Sequence, residues 1–318
     1  PLVTPAGIRA CLEAAEETGA AACAHPIVDT LKRADARGYS LPEPVSREHL
    51  WGMETPQIFS LALLQRAYAH VAEQGLVSLQ YGAGQGTEEL RIQACEVMAA
   101  EGITDADPAD IVITTGSQSA QDVAAKVFCN PGDVVLCEDP TYVGALNAFE
   151  AYEVEMHALP VDGDGLVPEA LEDAIASLRK QGKTIKMLYT IPSFNNPSGV
   201  TLAARRRPRI VEICAEANIL ILEDNPYGML RFDGNPLVPL RAGNPDDVLY
   251  LGSFSKIFAP GVRLGWALVP RHLYRRFYLA CEAVVLCPSP LTQMLVSAYL
   301  RDYDWMQNIR DSRKLYAA

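Results

Sequence analysis

Beyond Leu90 the chain alternates short apolar, β-branched runs with stretches of helical periodicity, and this alternation constrains its fold more tightly than any other feature. DIVITTG (110–116), DVVLCE (133–138), YEVEMHAL (152–159), IKMLYTIP (185–192), ILILED (219–224), VLYLGSF (248–254) and LGWALVP (264–270) read as strands. AQDVAAKVFC (120–129), VPEALEDAIASLRK (167–180) and RPRIVEICAEA (207–217) read as helices between them. The last carries Pro208 where a first helical turn tolerates its missing N–H. Strands this apolar are buried on both faces, and strands separated by helices run parallel. The expectation is an α/β protein with a largely parallel central sheet and helices on both faces. Such sheets bind ligands at the carboxyl ends of their strands.

The first part of the chain reads differently. Residues 5–36 are Ala/Glu-rich and suggest helices broken near His25-Pro26 and ended by Gly38, whereas SLPEPVSREHLWGMET (40–55) has turn residues and no sustained periodicity and reads as a linker or an extended segment crossing the surface. The expected organisation is an N-terminal helical arm and linker over 1–58, a large ligand-binding domain over 59–300, and over 301–318 the start of a helix leading to a further domain. A chain of 318 residues, 49% hydrophobic and 21% charged, can bury a large core. Its net charge of −12 argues against a nucleic-acid or anionic-membrane surface, which needs clustered Lys and Arg. The eight cysteines form no CxxC pair and the five histidines have no spacing that joins them to cysteines, so reduced thiols and no zinc are expected. No apolar run approaches the ~18 residues of a membrane span, and a cytoplasmic protein is the default expectation.

The polar residues at the strand ends can be tested against the binding-edge rule. In TTGSQSAQD, Gly116 turns the chain, and Ser117, Gln118 and Ser119 offer hydroxyls and backbone N–H groups at a helix start. This arrangement suits an anion, although serine also caps helices for structural reasons alone. Asp224 ends the run ILILED, where a buried carboxylate needs a metal, an arginine or a protonated ring nitrogen, unless it caps a helix. In SFNNPSG, Asn195 and Asn196 precede Pro197 and serve either a tight turn or the presentation of an amide. Lys256 follows an apolar strand, with Ser253, Ser255 and Arg263 nearby. It is either an exposed loop lysine or a desolvated amine able to attack an aldehyde, and the serines with Arg263 suit a dianionic phosphate. An anion cradle, an amine, a carboxylate, an amide and the aromatics Tyr142 and Tyr227 together describe one cofactor, pyridoxal 5′-phosphate.

From about Gln57 onward the chain resembles the class I and II aminotransferases of the fold-type I pyridoxal-phosphate-dependent enzymes, especially the aminoadipate, kynurenine and multi-substrate branch. QYGAGQGTEELR, TTGSQSAQD, EDPTYVG, NNPSG, EDNPYG and SFSKIFAPGVRLGW carry the resemblance and fall in family order. It implies that Lys256 binds the cofactor as a Schiff base and later moves the substrate proton, that Asp224 holds the pyridine nitrogen protonated, and that Asn196 and Tyr227 hydrogen-bond the 3′-oxygen. It also implies that Tyr142 stacks on the ring, that Ser117, Gln118, Ser253, Ser255 and Arg263 hold the phosphate, and that Tyr81 reaches a phosphate in the neighbouring subunit of a homodimer. The implied reaction moves an amino group between an L-amino acid and a 2-oxo acid. The alternative is a lyase or synthase on the same scaffold, catalysing elimination, replacement or carbon–carbon bond formation. Two departures stand out. GMETPQIFSL keeps Gly52, Pro56 and Phe59 of the usual glycine-rich segment, and the family's carboxylate-clamping arginine belongs to a small C-terminal domain expected beyond RDSRKLYAA.

Overall fold

The computed structural model describes residues 24–26, 32–34, 40–44, 51–53, 69, 71–73, 75–232 and 237–317. The chain divides into two compact units, one ending at Phe59 and one spanning Ser60–Ala317. In the first unit, β1 (Ala24–Pro26) pairs antiparallel with β4 (Trp51–Met53), and β2 (Lys32–Ala34) with β3 (Ser40–Pro44). This corrects the helical reading at 24–26 and 32–34, and of the linker or extended segment expected over 40–55 it makes 40–44 and 51–53 paired strands. The residues ahead of Pro26, Pro42 and Pro44 are biased toward extended backbone, and strand pairing is a non-local interaction that Ala/Glu content does not report. The rest of the expected arm lies outside the described residues.

The second unit is built on β5 (Ile111–Thr114), β6 (Val134–Asp139), β7 (Glu155–Asp162), β8 (Gly165–Leu166), β9 (Ile185–Thr190), β10 (Leu220–Asp224), β11 (Val248–Ser253) and β12 (Gly265–Leu268). They form one sheet in the order β5-β12-β11-β10-β9-β6-β7-β8. The pairs β6–β7, β6–β9, β9–β10 and β10–β11 are parallel, and β12 runs antiparallel to both neighbours. Each predicted run overlaps a strand, and β6 and β7 extend beyond theirs to Asp139 and Asp162. Sequence reading missed the two-residue β8, which pairs antiparallel with the end of β7.

The helices are α1 (Glu88–Ala99), α2 (Ser117–Phe128), α3 (Val143–Glu150), α4 (Pro168–Lys180), α5 (Arg207–Glu216), the short α6 (Phe254–Ile257), α7 (Arg271–Val285), α8 (Pro290–Asp302) and α9 (Trp305–Ala317). The expected boundary at residue 300 falls inside α8, and the final helix starts at Trp305. Alternation along the strands divides the core in two. Val135, Met187, Tyr189, Leu222 and Leu249 pack with Val123 and Ala124 of α2, Phe149 of α3 and Phe277 of α7. Val134, Leu136, Leu188, Ile221 and Val248 pack with Leu171 and Ile175 of α4 and Ile210 of α5. Burial on both faces explains why β5, β6, β10, β11 and β12 are apolar along most of their length rather than alternating, whereas β7, nearer the sheet edge, is largely exposed.

Since β5, β6, β9, β10 and β11 share a direction, their carboxyl ends meet at one edge. Antiparallel β12 begins at the same edge, with Gly265 opposite both Ser253 and Thr114. The neighbouring pair Gly252 and Trp266 shows how tightly this region is packed. A Cβ on Gly252 would lie 2.1 Å from the Trp266 ring, which in turn packs on Phe254 with centroids 4.8 Å apart. Gly252→Ala is expected to cost about 1–3 kcal/mol through overpacking, read as a lower midpoint in urea unfolding; an unchanged midpoint would contradict this packing.

Candidate functional site

At one end of the strand edge the chain builds an anion cradle. Helix α2 begins at Ser117 directly after β5, and Gly116 at its N-terminus has φ +79° and no side-chain cap. A Cβ on Gly116 would lie 2.6 Å from Arg263 Nη2, so the guanidinium can sit against the helix N-terminus because this residue is glycine. Arg263 is itself left-handed at φ +50°, and its Nη1 donates to Ser255 Oγ at 3.4 Å and to the Pro260 carbonyl at 3.2 Å. Ser253 Oγ caps α6 by accepting from the Ser255 N–H at 3.1 Å. Hydroxyls, a guanidinium and the positive end of a helix thus gather in one place.

At the other end lies Asp224, buried at the end of β10. Its Oδ2 accepts from Gln121 Nε2 at 2.6 Å and from the Tyr189 hydroxyl at 3.0 Å, whereas Oδ1 has no hydrogen-bond partner. Burial pushes its carboxyl up to about 7, against the two hydrogen bonds that lower it. A second buried carboxylate, Glu138 on β6, accepts from the Ile191 N–H at 2.9 Å and from Asn195 Nδ2 at 2.8 Å. Burial pushes it to about 7 as well. Asn195 is therefore spent inside the protein, while the adjacent Asn196 lines the cavity together with Tyr227.

Between the two ends stands Lys256 on α6, its Nζ 5.8 Å from the centroid of the Tyr227 ring. Burial lowers the Lys256 pKa and raises that of the Tyr227 phenol. Tyr142 precedes α3 and is half-buried. A Cβ on Gly144 would lie 2.4 Å from the Tyr142 ring and 2.6 Å from Gln118 Oε1, and Gln118 Nε2 donates to the Gly144 carbonyl at 2.8 Å. Glycine at this position lets both side chains close over the edge.

Ser117, Gln118, Tyr142, Asn196, Asp224, Tyr227, Ser253, Ser255, Lys256 and Arg263 all line one cavity of about 240 Å³. Of the residues predicted from sequence, Tyr81 stands apart from this cavity and is 82% exposed. Sequence reading missed Gln121, Tyr189 and Glu138. Gln121 could have been found, because it lies four residues after Ser117 on α2 and so on the same face; Tyr189 is an aromatic in an apolar strand and reads as ordinary core, and Glu138 at the end of one reads as a solvent-exposed carboxylate before a turn.

A family model described as aminotransferase class I and II matches residues 62–317. The chain belongs to that family. A second model, 2-C-methyl-D-erythritol 4-phosphate cytidylyltransferase, matches residues 1–80 and shares 62–80 with the first. Aromatic-amino-acid aminotransferase 1 of Thermococcus litoralis is 39% identical over 251 residues, covering 78% of this chain and 60% of that protein. The crystal structure of Pyrococcus horikoshii kynurenine aminotransferase superposes with a TM-score of 0.77 at 37% identity, covering 81% of this chain and 64% of that one. A protein described as the uncharacterized HTH-type transcriptional regulator YdcR of Escherichia coli is 30% identical over 264 residues, covering 82% of this chain and 55% of its own length. The chain therefore spans about three fifths of the length of these two aminotransferases.

The family's cofactor is pyridoxal 5′-phosphate, and the cavity fits it. The cradle of Ser117, Ser253, Ser255 and Arg263 suits its phosphate, the Lys256 amine its aldehyde, and the Asn196–Tyr227 pair its phenolic oxygen. The unpartnered Oδ1 of Asp224 lacks a cationic donor of the kind its ring nitrogen provides.

The raised carboxyl of Asp224 has a stability consequence in the ligand-free chain. Between the ordinary value of 3.8 and about 7, Asp224 stays protonated when folded but ionises when unfolded. The folded state then binds more protons, so stability falls as pH rises across that window. Asp224→Asn should flatten this dependence by up to about one proton, measured as the urea midpoint against pH; an unchanged slope would show that burial does not perturb this carboxyl.

Proposed function

We propose that this chain is the cofactor-binding part of a pyridoxal-phosphate-dependent aminotransferase, which moves an amino group between an L-amino acid and a 2-oxo acid. The observation that carries this reading is the meeting of Lys256, Asp224 and the phosphate-type cradle in one cavity. When bound, pyridoxal 5′-phosphate supplies an aldehyde that condenses with amines and an electron-withdrawing ring that accepts the electrons of the bond broken at the substrate α-carbon.

The protein's own residues do the rest. Ser117, Gln118, Ser253, Ser255 and Arg263 hold the phosphate through charge-assisted hydrogen bonds. Asp224 keeps the ring nitrogen protonated, a cation that in turn offsets the cost of its burial. Asn196 and Tyr227 donate to the phenolic oxygen, and Tyr142 covers the ring face and limits water. Lys256, whose burial favours the neutral amine, would hold and move the proton at the substrate α-carbon.

The proposal extends to a homodimer in which Tyr81 serves the neighbouring subunit's site. The exposure of Tyr81 together with Val77 and Leu79 supports this, since large apolar side chains exposed together are characteristic of interfaces. A cytoplasmic location is supported by the free thiols of Cys95, Cys129, Cys137, Cys214, Cys281 and Cys287. Among the described residues no single helix is long and apolar enough to cross a membrane.

The test is amino-acid titration of the full chain loaded with pyridoxal 5′-phosphate, with aromatic amino acids and 2-aminoadipate as probes. Release of a stoichiometric 2-oxo acid with the cofactor left as its amine supports transamination. Release of ammonia or a side-chain fragment with the aldehyde form regenerated favours the lyase or synthase reading, and cofactor binding without turnover of any donor counts against an enzyme. Lys256→Ala should lower turnover by at least about 10⁴-fold, the upper range for a positioned proton-transfer group, and should abolish borohydride trapping of the cofactor on the protein. Trapping that persisted would place the reactive amine elsewhere.

A further inference from the structure

Asp224 is held asymmetrically. Both of its protein donors reach the same oxygen, Oδ2, and they come from different elements: Gln121 from α2, and Tyr189 from the neighbouring strand β9. Both donors are fully buried, and both are neutral. We propose that Gln121 and Tyr189 are positioning residues for Asp224, pinning Oδ2 so that Oδ1 is held ready as the acceptor for a cationic ring nitrogen in the cavity. The inference rests on the reading of Asp224 as the partner of that nitrogen.

Several features favour a dedicated role over ordinary core packing. Gln121 is fully buried, yet its Oε1 has no hydrogen-bond partner. As a purely structural residue a buried amide satisfied on one side costs free energy, and an apolar side chain of the same shape would do as well or better. What Gln121 contributes is its donation to Asp224. Tyr189 packs its ring against Phe149 with centroids 6.2 Å apart, a contact that phenylalanine would keep; the hydroxyl adds its hydrogen bond to Asp224. Burial and the adjacent carboxylate raise the Tyr189 phenol well above its ordinary value, so it remains a donor. With two donors on one oxygen, the carboxylate cannot rotate to satisfy Oδ1 without breaking both bonds. A preset acceptor of this kind cuts the ordering cost of binding its partner.

The titratable groups that share this space are Tyr189 on β9, Glu138 on β6, Tyr142 before α3, Tyr227 after β10 and Lys256 on α6. A test must therefore observe Asp224 itself. The experiment is a ¹³C carboxyl titration of Asp224 in the ligand-free full chain, with Asp224→Asn assigning the resonance, for the native chain, Tyr189→Phe and Gln121→Met. Affinity for pyridoxal 5′-phosphate and thermal stability are measured on the same samples. Each variant removes one donor to the carboxylate, so the Asp224 midpoint should rise by roughly one pH unit and affinity should fall about tenfold. Gln121→Met should leave thermal stability unchanged or increased, because it also removes the unpartnered Oε1.

If both variants lower stability while the Asp224 midpoint and the affinity stay at native values, the two residues are structural and the inference fails. If the midpoint moves as expected but Asp224→Asn binds the cofactor as tightly as the native chain, the ring-nitrogen reading of Asp224 fails instead, and the pinning of Oδ2 stands as a property of the fold. Agreement between two variants on different elements guards against misfolding of either one.

Discussion

A carboxylate at the end of a buried parallel strand is expensive, and the edge of this sheet is arranged around that cost. Asp224 is buried, and the two hydrogen bonds it accepts come from neutral groups, so they leave its charge unneutralised. The ligand-free fold answers by keeping the acid protonated to an unusually high pH. A bound cation answers it better, which ties the stability of this region to occupancy of the cavity.

The same edge explains why the surrounding residues take the positions they do. Six strands share one direction, and the carboxyl ends of five of them deliver an anion-binding helix start, an aromatic, an amide, a carboxylate and an amine to a single line. Antiparallel β12 closes the line from the opposite direction, and Arg263 enters at its start. Closeness here depends on missing side chains. A Cβ on Gly265 would lie 2.7 Å from the Gly252 carbonyl and 2.9 Å from the Ser117 N–H, so β12 could not come this near the start of α2 with any larger residue. The polar groups at the edge can be fixed because the sheet beneath them is packed on both faces.

Much of this was legible beforehand. The apolar runs of β5, β6 and β9–β12 announce themselves because burial on both faces leaves few polar positions, whereas β7 is largely exposed, and Pro208 marks the first turn of α5. The lysine, carboxylate, serines and arginine were readable as a set because each is an anomaly at the end of an apolar run. What escaped had no local anomaly. Tyr189 looks like core because its ring is core, and its hydroxyl matters through a strand neighbour more than thirty positions away. Glu138 looks like a solvent-exposed residue before a turn, yet it is buried and clamps the segment that carries Asn196. The strands at 24–53 escaped for the related reason that pairing is decided by a distant partner.

The sequence by itself determined the fold class, the order of the strands along the chain and the chemical identity of the groups at their ends, since hydrophobic period and residue type are local properties. Only the tertiary structure decided which groups meet and in what state. That Arg263 lies against Gly116, that both donors to Asp224 reach one oxygen, and that its other oxygen goes without a partner all depend on sheet order and helix placement. Charge and hydrogen bonding act through space at a few ångströms, and the distances along the chain between these residues carry no record of that proximity.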